Sequence, residues 1–138
     1  MSETNSRKGE AAAKVPTVES IMRRSPLTIT PLETLAAAQT VMAREGLRQL
    51  PVVEKGTLVG ILSDRDLHAH SGYLERTKVD AAMTYDVVTV SPEATAQDAA
   101  RLLLEKKINA LPVVDGSGLV GIVSRSDFLL LLVRLLDQ

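Results

Sequence analysis

Apolar and polar positions in this chain follow two periods, one helical and one strand-like, and the pair of periods occurs twice. From Leu32 to Glu45 the apolar residues Leu35, Ala38, Val41 and Met42 recur at helical spacing, and Gly46 supplies a stop. Leu50-Pro51-Val52-Val53 is then a short apolar run. A Lys55-Gly56 turn separates it from Leu58-Val59-Gly60-Ile61-Leu62, which ends in the polar Ser63-Asp64-Arg65-Asp66. This pattern predicts a β-hairpin whose second strand runs directly into a helix from Ser63 to about His70. Ahead of these elements, Thr17 to Met22 is expected as a short helix with Thr17 as N-cap. Leu27-Thr28-Ile29 is expected as a brief strand.

The order starts again after Ser71-Gly72. Val79 to Met83 predicts a short helix, Val87 to Val90 a strand, Glu93 to Lys107 a helix and Ala110 to Val114 a strand. Asp115-Gly116-Ser117-Gly118 reads as a turn, Leu119 to Val123 as a strand, and Ser124 to Leu136 as the last helix. A constant offset of 61 residues relates the copies without a gap: Met22 to Met83, Thr34 to Thr95, Pro51 to Pro112, Gly60 to Gly121, Ser63 to Ser124 and Asp66 to Asp127. The chain is therefore an internal duplication of a β-α-β-β-α unit with a short leading helix. The expected bounds are a disordered tail at 1–14, repeat 1 at 15–70, a linker at 71–78 and repeat 2 at 79–136. Either half alone would bury too little surface, so the copies are expected to share one core.

Composition narrows the function classes. With 138 residues, 45% hydrophobic and 24% charged, the chain has the profile of one soluble globular domain. Its net charge of −1 argues against nucleic acid or an acidic membrane as partner. The absence of cysteine excludes disulfides and thiolate chemistry. No apolar run reaches the ~20 residues of a membrane span, so a cytoplasmic protein without membrane insertion is expected. The last helix is apolar nearly all round, from Phe128 to Val133 and again at Leu135-Leu136. Two-sided packing within the monomer and a dimer interface both account for it.

Candidate chemistry concentrates at the strand-to-helix junctions. Ser63 stands at the N-cap with Asp66 three residues on, and Ser124 with Asp127 repeats the arrangement. Such a pair is a capping box, a structural device, and also places a hydroxyl, a carboxylate and backbone N–H groups together in a way that suits a phosphorylated ligand. Asp64, Asp66, His68 and His70 form the one candidate metal cluster. Leu129 and Leu131 replace both histidines in the second copy, and a solvated helix face is the expected reading. Tyr73, Tyr85 and Phe128 are too scattered for base stacking. Arg23-Arg24 reads as a short basic pair on a solvated surface.

Two tandem units, each carrying Leu-Pro-Val-Val, Leu-Val-Gly-Ile and Ser-x-x-Asp, resemble the cystathionine β-synthase (CBS) domain family, and the pair resembles a Bateman module. The resemblance covers about residues 15–136. It implies an α/β (α+β) fold of two repeats packed sheet to sheet about a pseudo-two-fold axis. It also implies a non-enzymatic regulatory module with no catalytic cofactor. Its regulators would be AMP, ADP, ATP or another adenosyl ligand, and its assembly a homodimer that controls an unidentified protein partner. By that resemblance Asp66 and Asp127 bind ribose hydroxyls, and Ser63 and Ser124 lie near phosphates. Adenine would be held around Thr28, Ile29, Leu50 and Pro51 in one repeat and Thr89, Val90, Leu111 and Pro112 in the other. A carboxylate can accept both hydroxyls of a ribose diol, which fits these roles.

The two sites are expected to differ, because Arg48 becomes Asn109 and Asp64-Arg65 becomes Arg125-Ser126. Arg48, Arg65 and Arg125 either neutralise phosphates or point to solvent, while Asp64 is expected to face away. One site would take a polyphosphate and the other a monophosphate, or one would be empty; which is which stays open. The rival reading is a ligand-free dimeric interaction scaffold.

Overall fold

The computed structural model describes residues 15–116 and 118–138; the expected tail at 1–14 and Ser117 of the second turn lie outside them. In chain order the elements are α1 (Val18–Ile21), β1 (Arg23–Arg24), α2 (Leu35–Glu45), β2 (Gln49–Glu54), β3 (Thr57–Ser63) and α3 (Asp64–Ala69). A 3₁₀ turn at Val79–Ala81 follows, then α4 (Ala96–Lys106), β4 (Ala110–Asp115), β5 (Gly118–Ser124) and α5 (Arg125–Leu136). The fold is the expected mixed one, with two hairpins that meet along β3 and β5 and helices packed on them.

Local chemistry accounts for the element ends. The Thr34 hydroxyl accepts the Ala37 N–H at 3.1 Å and starts α2; Gly46, left-handed at φ 67°, ends it. In the second repeat Thr95 caps α4 in the same way, but the left-handed terminal residue is Lys107, at φ 55°. The first hairpin turns through Lys55 and Gly56, both at positive φ, the geometry that matches strand twist in a two-residue loop.

The expected strands at 27–29 and 87–90 shrink to single parallel bridges, Ile29 to Val52 and Val90 to Val113. Pro51 explains the first. The Ile29 N–H donates to the Pro51 carbonyl at 3.1 Å, and the Val53 N–H donates to Ile29 at 2.9 Å. The next bond of that ladder would need an N–H on Pro51, which proline lacks, so pairing stops there. Pro112 ends the second ladder at Val90 in the same way.

The core is also arranged differently from expectation. It divides into two clusters, and each is completed by the leading segment of the other repeat. Val79 and Met83 pack with Leu35, Ala38, Met42, Leu50, Val52 and Leu62. Val18 and Met22 pack with Ala99, Leu103, Leu111, Val113 and Val123. Backbone bonds fix the exchange. Val18 N–H donates to Ala94 at 2.8 Å and Ala96 N–H to Pro16 at 2.8 Å, while Val79 N–H donates to Glu33 at 2.8 Å and Leu35 N–H to Thr77 at 2.9 Å.

The exchange gives the glycine of Leu-Val-Gly-Ile its reason. A Cβ on Gly60 would lie 2.5 Å from the Met83 Sδ and 3.0 Å from the Thr84 carbonyl oxygen. On Gly121 it would lie 2.5 Å from the Met22 Sδ and 2.9 Å from the Arg23 carbonyl oxygen. Only hydrogen fits beneath the crossing segment. That segment also forms β1, not expected from the sequence, where Arg23 pairs with Ile122 and Arg24 with Gly121.

No residue of α5 is buried. Leu129, Leu130, Leu132, Val133, Leu135 and Leu136 are 49–74% exposed, so packing within the monomer does not cover this helix. Among the described residues no helix is long and apolar enough to cross a membrane.

Candidate functional site

At the β3–α3 junction Ser63 is extended, as an N-cap residue should be, and its backbone N–H and hydroxyl donate to Asp66 Oδ2 at 2.7 and 3.0 Å. The Asp66 N–H reaches back to Ser63 Oγ at 3.4 Å. At the β5–α5 junction the Ser124 N–H and hydroxyl donate to Asp127 Oδ2 at 2.8 and 3.1 Å. Capping therefore occupies one oxygen of each carboxylate. Oδ1 of each makes no hydrogen bond among the described residues, and both side chains are half-buried.

Two clefts border these junctions, and each draws on both repeats. The first, of about 440 Å³, places Ser124 and Asp127 opposite Gly46, Leu47, Arg48 and Gln49 from the α2–β2 corner of repeat 1. Arg23, Asp64, Arg65, Asn109, Arg125 and Ser126 complete its polar lining. A side pocket of about 230 Å³ shares Arg23, Leu47, Gln49 and Ile122 with it and extends it towards Pro26, Leu27 and Pro51. The second cleft, of about 280 Å³, places Ser63 and Asp66 opposite Lys107, Ile108, Asn109 and Ala110, the matching corner of repeat 2. Thr84, Asp86, Val87 and Val88 line its far side. The offset of 61 converts most of one lining into the other, as pseudo-two-fold symmetry requires.

The structure brings together Ser124, Asp127, Arg125, Arg48, Arg65 and Asn109 in the first cleft, and Ser63, Asp66, Arg65 and Asn109 in the second. Arg48 therefore faces Asp127 of the other repeat's junction, and Arg65 and Asn109 line both clefts. Asp64, expected to face away, lines the first cleft. Of the residues expected around adenine, Pro51 lines the side pocket. Ile29, Leu50, Leu111 and Pro112 are buried, Val90 is half-buried, Thr28 and Thr89 are exposed, and none of these lines either cleft.

Sequence reasoning missed Arg23, Gln49, Asp86 and Lys107 because the exchange of leading segments, and with it the partner of each junction, leaves no local signal. The histidines turn back onto their own helix: His68 Nδ1 lies 3.3 Å from the Asp64 carbonyl and His70 Nδ1 3.0 Å from that of Asp66. Among the described residues no three His, Asp or Glu side chains gather as a metal site.

Charge separates the two clefts. Five arginines and three carboxylates line the first with its side pocket, whereas two cations, Arg65 and Lys107, meet two carboxylates, Asp66 and Asp86, in the second. Arg125 is held by its Nε–H, which donates to the Ile108 carbonyl at 3.3 Å. Among the described residues Arg23, Arg48 and Arg65 form no ion pair.

The model of the CBS domain family matches residues 18–71 and 79–134. The chain is similar to the CBS domain-containing protein YhcV of Bacillus subtilis (strain 168), at 34% identity over 113 residues, covering 80% of this chain and 81% of that one. It is 38% identical over 118 residues to inosine-5'-monophosphate dehydrogenase of Korarchaeum cryptofilum (strain OPF8), covering 84% of this chain but only 24% of the enzyme's length. Among solved structures it resembles a Vibrio cholerae protein named for acetoin utilization, AcuB, with a TM-score of 0.81 and 35% identity over 89% of this chain and 94% of that one. It also resembles CBSX2 in complex with AMP, with a TM-score of 0.79 and 31% identity over 87% and 98% of the two chains. The CBS domain pair of MJ0100, in complex with 5'-methylthioadenosine and S-adenosyl-L-methionine, gives a TM-score of 0.80 at 25% identity, again over 87% and 98%.

Proposed function

The chain belongs to the CBS domain family, as a tandem pair, and on that premise we propose that it is a non-catalytic regulatory module binding adenine nucleotides or related adenosyl ligands in its two clefts. The observation that carries this reading is the free Oδ1 of Asp66 and of Asp127, each held by its capping serine at the wall of a cleft. Ribose hydroxyls would donate to that oxygen, and neighbouring arginines would receive the phosphates. AMP in the CBSX2 complex, and the two adenosyl compounds bound by MJ0100, support the ligand class.

Each cleft takes one wall from each repeat, so a ligand bridges them and favours the relative orientation that holds it best. The shift is limited by the ligand's difference in affinity between the two orientations. A partner protein reads that change. The exposed apolar face of α5 supports a homodimer, and the setting we propose is cytoplasmic, without nucleic acid or membrane insertion.

The test is calorimetric titration with AMP, ATP, NAD and S-adenosylmethionine, with light scattering before and after. We expect saturable binding that Asp66→Ala or Asp127→Ala removes from its own cleft, and a change in shape or assembly on binding. Flat traces from folded, nucleotide-free protein refute the reading. They would favour the ligand-free scaffold, for which the capping role already filled by both aspartates is the supporting observation.

A further inference from the structure

The two clefts differ at the positions that would meet phosphates. Where the first has Arg23 and Arg48, the pseudo-symmetric positions of the second hold Thr84 and Asn109. Where the first has Ser25 in its side pocket, the second has Asp86. Arg65 and Arg125 reach the first cleft as well, so its arginines outnumber its carboxylates, whereas the second cleft is balanced. Arginine forks suit phosphate oxygens, and each phosphate added to a ligand adds acceptors for them. A carboxylate at Asp86 repels the same groups. Size follows charge: the first cleft, at about 440 Å³ and opening into a side pocket, is larger than the second, which at about 280 Å³ falls just below the usual range of small-ligand sites.

Building on the nucleotide reading above, we propose that the first cleft is selective for an adenosine di- or triphosphate. The second takes an adenosyl ligand of little or no net negative charge. Arg65 borders both clefts, so a polyphosphate that recruits it in the first removes one of the second cleft's two cations. Occupancy of the first cleft therefore disfavours anionic ligands in the second and leaves uncharged ones unaffected.

The experiment titrates the full chain with ATP, AMP and 5'-methylthioadenosine, at low and raised salt, in four forms: wild type, Asp127→Ala, Asp66→Ala, and the double variant Arg23→Thr with Arg48→Asn. The double variant introduces residues the other repeat already carries at exposed positions, so its folding is secure. We expect ATP binding to be lost in Asp127→Ala and methylthioadenosine binding in Asp66→Ala. The double variant should weaken ATP by about tenfold or more, with methylthioadenosine unchanged. Raised salt should weaken ATP alone. ATP binding that is lost in Asp66→Ala instead, or is unmoved by the arginine substitutions, overturns the assignment and leaves the nucleotide reading intact. Absence of binding by all three compounds to folded wild type overturns both.

Discussion

The corner between the first long helix and the hairpin is built twice, as Gly46-Leu47-Arg48-Gln49 and as Lys107-Ile108-Asn109-Ala110. Backbone geometry is the same in both: the first residue is left-handed and the second donates to the helix, Leu47 to Met42 at 2.9 Å and Ile108 to Leu103 at 3.1 Å. The apolar second position is kept, and the three that surround it differ in charge or polarity. Directly after the corners, Leu50-Pro51-Val52-Val53 and Leu111-Pro112-Val113-Val114 are identical. The two corners thus differ where each faces the other repeat's aspartate. One fold is used twice, with different polar linings in the two clefts. Lys107 adds a cost: a lysine in the left-handed region is strained by about 1 kcal/mol, and it is held at the wall of the second cleft.

The equivalence of the two cores can be broken most directly at their centres. Leu50 and Leu111 are fully buried at matched positions, so Leu50→Ala and Leu111→Ala should each cost about 3 kcal/mol in chemical denaturation. A gap between them larger than about 1 kcal/mol would mean that the halves do not carry equal shares of the stability. The exchange of leading segments can be probed through its two glycines. Gly60→Ala and Gly121→Ala should each destabilise by about 2 kcal/mol, because the added carbon displaces Met83 or Met22 and presses on a backbone oxygen. Neutral substitutions there would refute the close crossing. The smallest effect concerns the corners themselves. Lys107→Gly should stabilise the fold by up to about 1 kcal/mol, and Gly46→Lys should destabilise it by a similar amount. Thermal melts of the pair would show shifts of opposite sign.

Much of this was legible from residue pattern. The hairpins, both long helices and the Ser-to-Asp caps follow from periodicity and capping chemistry, which act within a few residues. Gly46 announced a helix end, but Lys107 ends one in the same conformation without any such mark. The strands at 27–29 and 87–90 read as β from their side chains, yet their length was set by a missing N–H on a distant proline. The clefts were half legible. Asp66, Asp127 and their serines stand in local motifs, whereas what faces each, Arg48 and Arg23 for Asp127 and Lys107 for Asp66, comes from the other repeat's corner or leading segment. Leu50 and Leu111 were expected among the adenine contacts, and both side chains are fully buried in the core.

The exchanged leading segments also set an order on biosynthesis. When residues 28–70 have left the ribosome, the first repeat has its helix and hairpin but still lacks Val79 and Met83 over its core. It closes only as the next segment emerges. Val18 and Met22, made ahead of both hairpins, wait longer, because Leu103, Leu111 and Val123 must follow before they can be covered. The second repeat is therefore completed by the segment that leads into the first. The second half is not finished until its own hairpin is free, and a chain truncated in the second repeat leaves Val18 and Met22 uncovered, as a handle for quality control.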